Sequence, residues 1–193
     1  MNAYDRLMKP SDPDLQDLSR SPCDMIIREL ETAAGLMRNL TYPPLIPDGG
    51  ISLAYARPGA RTLGDVGAVA EDHIICPADL PVCRMVLTAL RFDPKIRCAL
   101  VLRYDAKFIA AGDGMLLEIC SFNRAQEPPG DTTHDWGIAF CCEKSDGVPD
   151  IIYDTGCAGK EPLIRLLGEN PTQVLASINR ILTRIIDTNF NEE

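Results

Sequence analysis

Residues 96–104 read IRCALVLRY, with an arginine near either end and CALVL uninterrupted between them. A run this short with no polar face is the pattern of a central strand covered on both sides. Working outward, ISLAYA (51–56), VGAVA and HIIC (66–76), MLLEICSF (115–122) and PDIIYD (149–154) read as further strands. Helix signals fall between them. Ser21 as N-cap, Pro22 and Asp24 open a helix over 21–40, with Ile26, Leu30, Ala33, Ala34 and Met37 at helical spacing. Asp79 as N-cap and Pro81 open a second, whose apolar face is Val82, Met85, Val86, Ala89 and Leu90. Shorter signals mark helices at 105–111, at GKEPLIRLLG opening on Gly159, and at PTQVLASINRILTRIID opening on Pro171. NRAQEPPGDTTHDWG (123–137) reads as a long loop, and WGIAFCCEK fits helix or strand equally. Strands alternating with helices predict an α/β sheet with helices on its faces.

The 193 residues suffice for one domain with its own core, expected over 21–188 behind a polar arm at 1–20. A net charge of −9 argues against nucleic acid, which is held by clustered Lys and Arg, but two or three cations in a pocket still serve a small phosphorylated ligand. No stretch reaches the ~20 apolar residues of a membrane span, and the polar N-terminus lacks a signal-peptide core. The eight cysteines form no C-x-x-C pair, so the expectation is reduced, structural thiols in a cytoplasmic protein.

Chemistry concentrates in DTGCAGKEP (154–162). If a helix opens here, the N–H groups around Gly156 and Gly159, with Lys160, favour an anion; the alternative is a plain strand-to-helix connection with a solvated lysine. The spacing is not that of a P-loop. Arg97 and Arg103, six apart, fall on one face of a strand and read as phosphate ligands or edge salt bridges. Arg124, Glu127, His134, Asp135 and Trp136 add acid–base groups and a ring; His73 beside Glu71-Asp72 reads as solvated. Two histidines and scattered thiols lack metal-ligand spacing.

Taken together, LIPDGG with AYARPGA and Asp65-Val66, then LRFDPKIRCALVLRY, SFNRAQEPP, TTHDWG and VPDIIYDTGCAGKEPLIRLLGENPTQV resemble the ThiN domain, the archaeal-type thiamine-phosphate synthase module, over roughly 45–185. The resemblance implies a three-layer α/β/α sandwich around a mixed sheet, of the class II aldolase and phosphomethylpyrimidine kinase C-terminal domain type. It implies a chemistry joining hydroxymethylpyrimidine diphosphate to thiazole phosphate, with Mg²⁺ as helper if the site is active. Carried over by position, Arg97, Arg103, Arg124, Glu127, Asp154, Gly156, Gly159, Lys160 and Glu161 match the family pattern as ligand and phosphate contacts.

The departures are as specific. The family's G-R-I position holds Glu71-Asp72, the loop that follows is largely gone, and Pro81 stands where a helix-opening histidine is implied, with Arg84 at the terminal arginine. Val101 and Ser52 replace family asparagines. No catalytic residue and no metal ligand is therefore assigned. The expectation is a catalytically degenerate module that binds thiamine phosphate or a related phosphorylated ligand, alone or as a homodimer; the alternative is an active thiamine-phosphate synthase.

Overall fold

The computed structural model describes residues 21–40, 42–128 and 133–191, and of 22, 133–135 and 188–191 the backbone alone. The arm at 1–20 lies outside the described residues. Among the described residues, seven strands form one sheet: β1 Ser52–Ala56, β2 Val66–Ala70, β3 His73–Ile75, β4 Cys98–Arg103, β5 Ile119–Ser121, β6 Ile151–Tyr153 and β7 Leu163–Gly168. Five α-helices accompany them: α1 Pro22–Met37, α2 Pro81–Ala89, α3 Ala106–Asp113, α4 Thr133–Ser145 and α5 Pro171–Asn191. The strand order is β3-β2-β1-β4-β7-β6-β5, antiparallel except for the β5–β6 pair, so the sheet is mixed.

The opening stretch behaves as its composition requires. β4 is the middle strand, and Cys98 to Leu102 are all buried. Alternate residues go to opposite layers: Leu100 and Leu102 join a core with Ile26 and Leu30 of α1, Phe108 of α3 and Ile178 and Ile181 of α5. Ala99 and Val101 join a second core with Val82, Met85 and Val86 of α2 and Ile138 and Cys141 of α4. Two cores on two faces of one sheet make the expected α/β/α sandwich.

Several local expectations are corrected. LIRLLG is the strand β7, which returns antiparallel to β6, not a helix. A short apolar run carries no period that separates the two states; here Ile164 and Leu166 face one core and Leu167 the other, as a strand demands. Only residues 119–121 of MLLEICSF are strand. Trp136 and the WGIAFCCEK run lie on α4, so the expected loop is shorter by its last turn. Leu80, not Asp79, is the N-cap of α2, without a side-chain cap; the Asp79 carboxylate is taken by Arg84 at 3.0 Å. Ser21 does cap α1, in a capping box with Asp24.

The cysteines are corrected too. Cys23 and Cys76 form a disulfide across 53 residues, with Cα atoms 5.8 Å apart. Packing creates the pair: Ile26 and Leu30 press α1 onto β2 at Gly67, where an added Cβ would lie 2.5 Å from Ile26. That contact sets the first turn of α1 beside the end of β3. No sequence spacing announces it.

Candidate functional site

The strands place most of the expected ligands on one rim of the sheet. β4 ends there at Arg103, β6 at Tyr153 and Asp154, and β7 begins there at Leu163. The connection between β6 and β7 carries DTGCAGKEP, and it is a tight hairpin rather than a helix entry. Gly156 and Gly159 have φ of 75° and 74°, and Cys157 and Lys160 bridge each other. Gly156 is required twice over, because a Cβ would sit 2.7 Å from the Lys160 carbonyl oxygen. With no helix beginning here, the helix-dipole argument for an anion is removed.

Charges on this rim are interleaved. Arg103 bridges Asp48 and Glu161, with Nε 2.5 Å from Glu161 Oε1, and the Asp48 N–H donates to the other Glu161 oxygen at 3.2 Å. Lys160 Nζ lies 3.6 Å from Glu127, whose side chain is 9% exposed. Beneath them Asp154 binds two buried guanidiniums: Arg124 Nε at 2.8 Å and Arg165 Nη1 at 2.8 Å, while the Gly156 N–H donates to Asp154 Oδ1. Arg165 has 0% exposure, its Nε and Nη2 have no hydrogen-bond partner among the described residues, and burial pushes its proton affinity down while Asp154 opposes that shift. The guanidinium carbon also stands 5.0 Å from the Phe122 ring centroid. The rim also carries Tyr104 and Tyr153, with ring centroids 5.4 Å apart.

Thus Arg103, Arg124, Glu127, Asp154, Gly156, Gly159, Lys160 and Glu161 come together, and Arg97 does not. It stands at the opposite end of β4, about 20 Å away at a strand's rise per residue, where it hydrogen-bonds the Tyr55 hydroxyl at 3.3 Å. Sequence reading missed Asp48 and Arg165. A charged residue inside the apolar run LIRLLG was the available signal for Arg165, which the helix reading of that run left unremarked. The side chains of His134 and Asp135 are outside the described residues. Trp136 stacks on Phe140 at 5.2 Å and meets Phe122 edge-on, as a core ring.

The positions where the family resemblance implies other residues are also fixed. Glu71 and Asp72, with φ of 49° and 63°, make a two-residue turn between β2 and β3. Ser52 pairs with Ala70 on one side and Val101 on the other, which sets this acidic turn on the Arg103 rim. For Mg²⁺ the donor set around the hairpin does not fit: Asp48, Glu127, Asp154 and Glu161 each face a cation, and Glu71 and Asp72 form a two-residue turn of their own. Among the described residues no three His, Cys, Asp or Glu group as a metal site. None of the described helices is long and apolar enough to cross a membrane.

A three-layer α/β/α domain with a charged rim built around a glycine hairpin is the class these observations define. The chain belongs to the ThiN family, thiamine-phosphate synthase ThiN, whose sequence profile matches residues 77–180. It is 32% identical over 178 residues to the bifunctional thiamine biosynthesis protein ThiDN of Methanocaldococcus jannaschii, covering 86% of this chain and 42% of that protein. It is 30% identical over 110 residues to the thiamine-phosphate synthase ThiN of Methanothermobacter thermautotrophicus, covering 53% of this chain and 57% of that one. The chain therefore spans about half the length of these relatives. Among solved structures, the C-terminal domain of a phosphomethylpyrimidine kinase superposes with a TM-score of 0.74 at 29% identity, over 81% of this chain and 98% of that domain. An L-fuculose 1-phosphate aldolase at 8% identity and a TM-score of 0.51, over 88% and 86% of the two chains, shares the fold alone.

Proposed function

We propose that this ThiN-type domain binds thiamine monophosphate, or a phosphorylated precursor of it, at the Arg103–Lys160 rim and does not synthesise it. The observation that carries this reading is the Glu71–Asp72 turn. It puts two acids on the rim at the position where the family resemblance implies a cation, and Pro81 opens α2 where an imidazole is implied. Charge that builds on a departing pyrophosphate needs donors in place before the reaction, and losing one such donor commonly costs a hundredfold or more in rate. Binding asks less. Arg103 and Lys160 are solvent-reachable, at 36% and 52% side-chain exposure, and a phosphate competes with Glu161, Asp48 and Glu127 for them. Tyr104 and Tyr153 offer aromatic surface beside it.

The test has two arms. Calorimetric titration of the full chain with thiamine monophosphate is expected to show saturable binding, weakened in Arg103→Gln. Incubation with hydroxymethylpyrimidine diphosphate, thiazole phosphate and Mg²⁺ is expected to yield no thiamine monophosphate above background. Product formation would establish the second reading, an active synthase, which the names of the two relatives favour.

A further inference from the structure

A separate recess lies far from that rim. It occupies about 840 Å³ between the segment 59–63 and the outer side of α2 with the residues that follow it. Its walls carry Arg61, Arg84 and Arg91, its floor is formed by Leu63, Leu87 and Leu90, and no carboxylate lines it. The helix makes the arrangement: positions 84, 87 and 91 recur on one side of α2 and its continuation, so Arg84 and Arg91 stand about 10 Å apart along the axis with a leucine between them. Arg61 faces them from the loop, whose course is held by Asp65 accepting from the Arg61 and Thr62 N–H groups at 3.0 and 3.1 Å.

Three guanidiniums around one recess are unexpected in a chain of net charge −9. Carboxylates are plentiful in this sequence, yet none lines the recess, and Asp79 bonds Arg84 from outside the lining. Like charges around an apolar floor gain most from an anion that also covers the floor. The volume is that of a small-molecule site. Arginine, moreover, holds phosphate and carboxylate groups through paired N–H donors.

We propose that this recess is a binding site for a small amphipathic organic anion, an aromatic or short acyl body bearing a phosphate or carboxylate. The body lies on Leu63, Leu87 and Leu90, and the anionic group is held by Arg61 and Arg91 with Arg84 beside them. The site is independent of the rim: Arg91 precedes β4 and Arg103 ends it, so the two are separated by the length of the strand. Neither the thiamine reading nor the glycine hairpin enters the argument.

The test uses the full chain and three probes in calorimetry: phenyl phosphate, inorganic phosphate and benzyl alcohol. Phenyl phosphate is expected to bind saturably at one site per chain, with the other two at least about tenfold weaker, since each lacks half of the recognition. The double variant Arg61→Gln/Arg91→Gln is expected to weaken phenyl phosphate by about tenfold or more at unchanged melting temperature, both side chains being exposed. Leu87→Glu, which sets a carboxylate in the floor, is expected to abolish it. Arg103→Gln is expected to leave it untouched. The proposal is overturned if phenyl phosphate binds no better than benzyl alcohol, if the arginine pair can be removed without loss, or if the loss follows Arg103 instead.

Discussion

Asp154 and Arg165 form a buried ion pair, 2.8 Å between Oδ2 and Nη1, in which the carboxylate is 1% exposed and the guanidinium 0%. The pair is not balanced by itself, because Arg124 claims the same carboxylate at 2.8 Å. Two guanidiniums on one carboxylate make its three members unequal. Asp154→Asn strands two buried cations and is expected to destabilise the fold by about 3–5 kcal/mol. Arg165→Met leaves a balanced Arg124–Asp154 pair and removes donors that have no partner among the described residues, so it is expected to cost less than about half of that. Urea unfolding of both variants gives the order; equal losses would show that Arg165 is satisfied by something other than Asp154.

The hairpin that presents Lys160 depends on Gly156. Gly156→Ala meets a left-handed φ and the Lys160 carbonyl at once. The expected result is a loss of about 1–3 kcal/mol together with weaker binding of thiamine monophosphate. Gly159→Ala, with the same φ but open space around its Cβ, is expected to cost less than Gly156→Ala. Thermal unfolding and calorimetry on the pair check both statements.

Asp65 supplies a pH dependence. Its carboxylate accepts from the Arg61 N–H, the Arg57 side chain and both the N–H and hydroxyl of Thr62, and these bonds hold its proton affinity well below the usual carboxylate range against some desolvation. A depressed folded-state value contributes stability that is fully present above the unfolded value of about 4 and is lost as pH falls through the folded one. Wild type is therefore expected to exceed Asp65→Asn in melting temperature at neutral pH, by an amount that shrinks only in acid. A gap that stays constant down to strongly acidic pH would show that the carboxylate charge is not what matters.

The thiols sort by burial. Cys83, Cys98, Cys120, Cys141 and Cys142 are buried, and burial pushes the Cys142 thiol up to about 11, whereas Cys157 is exposed on the hairpin. One fast-reacting thiol per chain is expected with a colorimetric disulfide reagent under native conditions, rising to three after mild reduction of Cys23–Cys76. Replacing Cys23 and Cys76 by serine is expected to lower stability by roughly 4 kcal/mol, the chain-entropy value for a loop of this length. Unfolding with and without reductant provides the measurement.

The α/β alternation was legible from short-range chemistry, and the three layers and mixed sheet followed from the family resemblance. An uninterrupted apolar run that stays buried on both faces has few alternatives to a middle strand, and the capping box at Ser21 is a local hydrogen-bond pattern that the sequence writes out in full. LIRLLG was not legible. Its local pattern satisfies helix and strand equally, and the decision belongs to β4 and β6, which supply the ladder on either side. Losing that helix removed the dipole from the anion argument and left Arg165 buried in the sheet.

By itself, the sequence determined which residues are apolar, where turns must bend and which family pattern the chain carries, because these depend on neighbours within a few positions. Tertiary structure alone decided that Asp48 and Glu161 share Arg103, that Cys23 meets Cys76 and that three arginines of two segments face one recess. Each of these joins residues far apart in the chain, and only the register of the sheet and the seating of helices on it set such distances.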